Sequence, residues 1–161
     1  MTEPTTTDPA TFLDAQAAID AAFAESTDPA RIEQAVCDEL YARFDHYAWV
    51  GIYRVEGDDL VLGAWAGPEE TEHTRIAVGE GICGLAAATG ETEVVPDVSV
   101  RDEFIACFPS TRSEIVVPIH GPDGVLGEID IDSDEVDPFD ERDRTFLESL
   151  AERLAVGMVG A

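Results

Sequence analysis

The carboxylates of Glu114, Asp130 and Asp132 are the first side chains of this sequence that suggest chemistry. They alternate with apolar residues along two predicted strands, 113–119 and 125–132, whose apolar faces must meet on one side of a sheet. The three carboxylates therefore share the other side. A three-residue loop between the strands would place Glu114 opposite Asp132, whereas a five-residue loop would place it opposite Asp130.

Like charges on neighbouring strands destabilise a sheet, so this cluster requires an explanation. One explanation is a hydrated acidic surface, and another is a cage for a cationic ligand, because an ammonium group would cancel the repulsion. A metal ion is a third, but two or three carboxylates without further oxygen ligands make a poor calcium site. We expect no metal and no cofactor. Glu128, on the same strand, is taken as a carboxylate outside the cluster.

Two cysteines form the second candidate group. Cys83 lies near the start of a predicted short helix, 82–89, where unpaired N–H groups and the helix dipole favour a thiolate. Cys107 lies in an irregular stretch, of the kind that carries reactive groups. The pair could be a nucleophile and a resolving thiol, or two small apolar side chains. Cys37, on an amphipathic helix, is interpreted as a structural thiol.

Trp49 and Tyr53 lie on one face of a predicted strand, with one further residue of that face between them. Such a pair belongs either to the core or to the wall of a pocket for a small amphipathic or thioether-like ligand.

The segment 79–84, Gly-Glu-Gly-Ile-Cys-Gly, matches a phosphate-binding fingerprint, GxGxxG. A dinucleotide site also needs a parallel strand–helix–strand unit, and the predicted strands of this chain are joined mostly by hairpin-length turns. We therefore interpret the segment as a glycine-rich turn that permits a close backbone approach.

The elements that position these residues separate along the chain. Asp-Pro pairs at 8–9 and 28–29 predict two helix starts, and a period of two from residue 47 predicts a hairpin. A final helix is predicted from about residue 140. This order indicates an α+β fold, with a central antiparallel sheet and the N- and C-terminal helices packed on one face. Residues 1–8 are predicted to be a disordered tail and 9–161 a single domain.

Charge excludes two classes of partner. The 161 residues include 35 acidic and nine basic ones, all arginine, for a net charge of −26. This sign is opposite to that of a nucleic-acid binder or a binder of anionic membranes. The composition favours a halophilic, salt-rich cytoplasm, with ordinary acidic adaptation as the alternative. The chain shows no targeting segment and no membrane-spanning run, which predicts a cytoplasmic location with reduced thiols.

Taken together, the motifs resemble those of the free methionine-(R)-sulfoxide reductases, a catalytic branch of the GAF-domain family, over residues 30–157. The matching motifs are Trp49-Val50-Gly51-Ile52-Tyr53, Val78-Gly79-Glu80-Gly81-Ile82-Cys83-Gly84, Ile105-Ala106-Cys107, Ser113-Glu114-Ile115-Val116-Val117-Pro118 and Gly127-Glu128-Ile129-Asp130-Ile131-Asp132-Ser133. The resemblance implies that 9–161 is a GAF-like domain and that the substrate is free methionine sulfoxide.

The resemblance also implies roles for the cysteines. Cys107 would attack the sulfoxide sulfur, release methionine and become a sulfenic acid, which Cys83 would resolve as a disulfide. A thioredoxin-like protein would reduce that disulfide. His73 stands where many members of the family have a third cysteine, so turnover would depend on Cys83 or on direct reduction by a partner.

The resemblance assigns the remaining candidates to substrate binding. Glu114, Asp130 and Asp132 would hold the substrate ammonium and help protonate the sulfoxide oxygen, while Trp49 and Tyr53 would form the wall on the thioether side. Two alternatives stay open: a non-catalytic GAF sensor of a small ligand, and a thiol redox switch. The absence of an output domain in this sequence favours the enzyme. A homodimer is a further open expectation.

Overall fold

The computed structural model describes residues 7–101 and 110–159, and all element bounds refer to those ranges. The elements, in chain order, are α1 (Pro9–Glu25), α2 (Pro29–Arg43), β1 (Trp49–Glu56), β2 (Asp59–Ala66), β3 (Arg75–Ala77), α3 (Gly81–Thr89), β4 (Glu93–Val95), β5 (Ser113–Gly121), β6 (Gly124–Ser133) and α4 (Glu141–Met158). A short 3₁₀ turn, Val98–Val100, follows β4. The predicted tail lies mainly outside the described residues.

Aspartate caps start three of the helices. Asp8 and Asp28 each accept a hydrogen bond from the backbone N–H two residues later, at 2.9 and 3.2 Å, and a proline fills the next position. Asp140 and Asp143 form a reciprocal capping box at the start of α4. These contacts satisfy N–H groups that have no partner within the helix. Both helix starts predicted from Asp-Pro pairs are confirmed.

The sheet has six antiparallel strands among the described residues, in the order β3-β2-β1-β6-β5-β4. The predicted α+β fold with a central antiparallel sheet is confirmed. The strand β4, a three-residue edge strand that pairs with β5, is not predicted from the sequence. The predicted start of the first strand at Tyr47 is wrong, since β1 begins at Trp49.

The β5–β6 register places Glu114 opposite Asp132, as the three-residue loop predicted. The turn itself differs, because Gly121 pairs with Gly124 and leaves only two residues between the strands. A register shift after Ile119 adds the missing residue on β6 and restores the predicted pairing.

The two faces of the sheet carry different apolar clusters. One face packs against α1, α2 and α4, and its buried residues include Ile129 and Ile131 of β6. The other face packs against α3 and includes Trp49, Tyr53 and Cys83. The N- and C-terminal helices therefore lie on one face, as predicted, and α3 covers part of the opposite one. No helix in 7–101 or 110–159 has the length and apolar character needed to cross a membrane.

Candidate functional site

A row of acidic side chains lies on the α3 side of the sheet. Glu128, Asp130 and Asp132 alternate along β6 with the isoleucines that face the helices. Glu114 of β5 lies directly opposite Asp132. All four residues are buried, and Glu128 and Asp130 are 0% exposed. The hydrated acidic surface considered from the sequence is therefore wrong for this cluster.

Glu128 belongs to the cluster, which corrects its assignment to the outside. It lies two residues before Asp130, so the period of the strand places both on one face. Tyr53 and Pro118 are its partners on the neighbouring strands. The strand period in the sequence was sufficient to predict that Glu128 shares a face with Asp130. Their burial by α3 is a tertiary contact, which the period does not predict.

The environment of the carboxylates disfavours their charged forms. Among the described residues, the oxygens of Glu128, Asp130 and Asp132 have no hydrogen-bond partner other than the carboxylates of the cluster and the thiol of Cys83. Burial raises the pKa of all three groups, and the charge of Asp130 raises the pKa of Glu128 and Asp132 further. The cluster must therefore retain protons or receive a cation.

Cys83 lies against the same cluster. Its Sγ is 3.9 Å from Oε2 of Glu114, and its side chain is buried beneath α3. Burial raises its pKa well above the usual range, and the charges of Asp130 and the neighbouring carboxylates raise it further. The thiolate expected from the helix start is therefore wrong, because desolvation and negative neighbours outweigh the dipole of a nine-residue helix.

The glycine-rich segment positions Cys83. Gly79 and Gly81 have φ angles of 98° and 67°, which side chains with a Cβ rarely adopt. A Cβ on Gly84 would lie 2.7 Å from the carbonyl oxygen of Ala77. The segment thus permits a close backbone approach, as predicted, and this contact fixes the start of α3 against β3.

Trp49 and Tyr53 lie beside the acidic row on β1. Trp49 pairs with Asp132 and Tyr53 with Glu128, so the aromatic side chains flank the carboxylates on the same face. Gly51 lies between them, opposite Asp130, and a Cβ there would collide with the indole ring of Trp49. The hydroxyl of Tyr53 donates to the backbone oxygen of His73 at 2.9 Å. The glycine thus lets the indole ring lie across the strand, and the two aromatic side chains border the acidic row.

The three cysteines fall into different settings. Cys37 is fully buried in the cluster packed against the helices, where burial raises its pKa, as expected of a structural thiol. Cys83 adjoins the carboxylates. Cys107 lies outside the described residues. Cys83 Sγ and oxygens of Glu114 and Asp130 lie within 4.8 Å of one another, and this set has donors that could hold a metal ion.

Comparisons with known proteins identify the family of this fold. The model of the "GAF domain" family matches residues 26–159. The free methionine-R-sulfoxide reductase of Saccharomyces cerevisiae is 45% identical over 107 residues, which cover 64% of this chain and only 58% of that protein, less than two thirds of its length. The Escherichia coli protein of the same name is 38% identical over 115 residues, covering 71% of this chain and 68% of that protein.

A solved structure extends the comparison to nearly the whole chain. The free methionine-R-sulfoxide reductase of Neisseria meningitidis, in complex with its substrate, superposes with a TM-score of 0.87 at 34% identity. The match covers 99% of this chain and 95% of that one.

Proposed function

We propose, from the fact that this chain belongs to the GAF domain family, that it reduces free L-methionine-(R)-sulfoxide to L-methionine with its cysteine thiols. One observation carries the proposal: a buried set of four carboxylates adjoins a cysteine, and two aromatic side chains flank it. A sensor or a redox switch requires no such combination of groups.

The carboxylates recognise the substrate by its free amine. Glu114, Asp130 and Asp132 are buried close to one another, so an ammonium group would replace repulsion with charge-assisted hydrogen bonds. Such a bond is worth about 1.5–3 kcal/mol. A methionine sulfoxide residue within a peptide has no free amine, and the site therefore selects the free amino acid.

The aromatic residues receive the other end of the substrate. Trp49 and Tyr53 flank the acidic row on β1, and the glycine between them lets the indole ring lie close to the strand beside Asp130. Aromatic faces make favourable contacts with sulfur and methyl groups. The amine and the sulfoxide oxygen thus lie over the carboxylates, with the sulfur and its methyl group against the aromatic walls.

Cys107 is the nucleophile in this proposal. Its thiolate attacks the sulfoxide sulfur while the sulfoxide oxygen takes up one proton. The resulting hydroxyl group passes from the substrate sulfur to the sulfur of Cys107, the bond between the two sulfurs breaks, methionine leaves, and Cys107 becomes a sulfenic acid. Asp130 and Asp132 have raised pKa values and can supply a proton to that oxygen. The raised pKa of Cys83 keeps it a thiol, which supports Cys107 as the attacking group.

Cys83 completes the cycle. It attacks the sulfenic sulfur of Cys107, and its proton leaves with the hydroxyl group as water, which produces a disulfide. A thioredoxin-like protein then reduces the disulfide with two thiols and is itself oxidised. Such a partner operates in a reducing compartment, so we place the protein in the cytoplasm. The homodimer stays a prediction from the sequence.

Product analysis tests the activity. The protein is incubated with each diastereomer of free methionine sulfoxide and with thioredoxin or a small dithiol in high salt, and methionine is quantified. We expect methionine from the (R) form only. No methionine from either diastereomer would contradict the proposal and favour the sensor.

Carboxylate variants test the recognition. Removing one contact to the ammonium should lower kcat/KM by about ten- to a hundredfold in Glu114→Gln, Asp130→Asn and Asp132→Asn. Asp134→Asn is the matched control, since Asp134 is exposed just beyond β6. N-acetylation of the substrate should cost at least as much as one carboxylate. Equal, small effects at all four positions would contradict the proposal that these carboxylates bind the substrate ammonium.

A further inference from the structure

We infer that Cys83, Glu114 and Asp130 form a zinc-binding site, and that Zn²⁺ is a reversible inhibitor that competes with the amino-acid substrate. The binding site itself needs no catalytic activity. Only the inhibition rests on the function proposed above.

The geometry of the three donors is close to that of a metal site. The sulfur and one oxygen from each carboxylate lie within 4.8 Å of one another, and Cys83 Sγ is 3.9 Å from Glu114 Oε2. Around tetrahedral zinc, with Zn–S near 2.3 Å and Zn–O near 2.0 Å, such atoms stand about 3.3–3.6 Å apart. Small side-chain adjustments therefore suffice to bring all three to bonding distance.

A second observation points to a bound cation. Asp130 is fully buried, and among the described residues neither of its carboxyl oxygens has a partner beyond the other two donors of the site, Glu114 and Cys83. Its neighbours on β6, Glu128 and Asp132, are in the same condition. A buried group of this kind is stable only when it is neutralised. A divalent cation supplies positive charge to the three buried carboxylates of β6.

The donor set selects the metal. A thiolate is a soft ligand that binds zinc strongly, whereas calcium and magnesium prefer six or more oxygen ligands. Three protein ligands leave the fourth tetrahedral position for a water molecule. Zn²⁺ replaces the proton of the Cys83 thiol when it binds, and Mg²⁺ should not compete with it.

Occupancy by zinc would block the reaction twice. The metal would neutralise Glu114 and Asp130, which the substrate ammonium would otherwise contact. It would also hold the sulfur of Cys83, which could then no longer resolve a sulfenic acid. Free zinc would therefore lower the rate of sulfoxide reduction, and a chelator would restore it.

Cobalt titration of the reduced full chain tests the site. The Cys107→Ser variant is used throughout, because it removes one thiol and separates metal binding from catalysis. We expect one equivalent of Co²⁺ with a thiolate-to-metal absorption band, displaced by Zn²⁺ but not by Mg²⁺. Adding Cys83→Ser should abolish the band, and adding Asp130→Asn should weaken Co²⁺ binding at least tenfold.

The controls separate this site from the acidic surface. Cys37→Ala and Asp134→Asn, each in the same background, should keep both the band and the affinity, and circular dichroism verifies that each variant is folded. Free L-methionine should displace Co²⁺ without any mutation. No band, a band that survives Cys83→Ser, or several weak equivalents unaffected by Asp130→Asn would overturn the inference. Co²⁺ binding at Cys83 in a protein without reductase activity would contradict the proposed function alone.

Discussion

Replacing Glu128 by glutamine should make the ligand-free protein more stable at neutral pH. Glu128 and Asp130 are alternate residues on one face of β6, so their Cα atoms are about 6.8 Å apart. Two unit charges at that separation, with an effective dielectric constant of 20, repel by about 2 kcal/mol. Folded Glu128 avoids this repulsion only by holding a proton that the unfolded chain releases at neutral pH, so both forms lower the stability. Glutamine is neutral in both states, and its amide can donate a hydrogen bond to Asp130. We expect a gain of about 2 kcal/mol, or about 4–8 °C in Tm.

The gain should depend on pH in a definite direction. Burial raises the pKa of Glu128 well above 4.5, so the folded protein retains a proton that the unfolded chain releases above that pH. The unfolded state then binds fewer protons, and the stability of the wild type falls as the pH rises through this window. Below pH 4.5, Glu128 is protonated in both states. The advantage of Glu128→Gln should therefore disappear there and grow toward neutral pH.

Thermal unfolding of both proteins from pH 4 to pH 8, at constant high salt and without substrate, measures this difference. Asp134→Asn removes a charge from an exposed position near the end of the same strand and should change Tm little at any pH. A Glu128→Gln variant that is no more stable than the wild type at pH 7 would refute the reasoning. The same would follow from a gain of equal size at pH 4.

Three further predictions concern other parts of the molecule. Gly51→Ala would direct a Cβ into the indole ring that lies across it, which should cost about 1–3 kcal/mol in denaturant unfolding and lower kcat/KM; unchanged values would show that the ring relocates freely. Asp143→Ala removes the acceptor of the buried Tyr47 hydroxyl and half of the α4 capping box, which should lower the free energy of unfolding by about 2–3 kcal/mol in the same assay. A loss below about 0.5 kcal/mol would contradict this. One equivalent of sulfoxide without reductant should produce a Cys83–Cys107 disulfide with Cys37 still a thiol, and peptide mapping that finds Cys37 in a disulfide would exclude the proposed cycle.

The sequence predicts those parts of the fold that depend on local interactions. The helix starts at Pro9 and Pro29 follow from a capping aspartate and a proline, and both signals lie within three residues. The strand β4 has only three residues and forms by pairing with β5. A segment this short has no hydrophobic period in the sequence from which a strand could be predicted. The two-residue turn with its compensating bulge is equivalent, in register, to the predicted three-residue loop.

The candidate site shows the same difference between features that local sequence predicts and features that depend on tertiary contacts. The two-residue period of the strands, with the requirement that the apolar faces of β5 and β6 lie on the same side, was enough to predict that Glu114, Asp130 and Asp132 share one face. Their burial, and that of Cys83, depends on α3 crossing that face, which is a tertiary contact. The sequence therefore indicated which side chains meet, but it led to the wrong charge state for Cys83 and the wrong status for Glu128.

The alternation along β6 also constrains how the chain reaches its folded state. Carboxylates occupy one face of the strand, and Ile129 and Ile131 occupy the other. A slip of one residue against β1 or β5 would exchange the faces and drive three acidic groups into the apolar layer beneath the helices. In the native register these carboxylates have Glu114 and Cys83 as neighbours, and a slip would remove those partners at a cost of several kcal/mol for each buried carboxylate, which disfavours misaligned pairings. The residues that we assign to substrate binding thus also favour the correct register of β6 with its neighbouring strands.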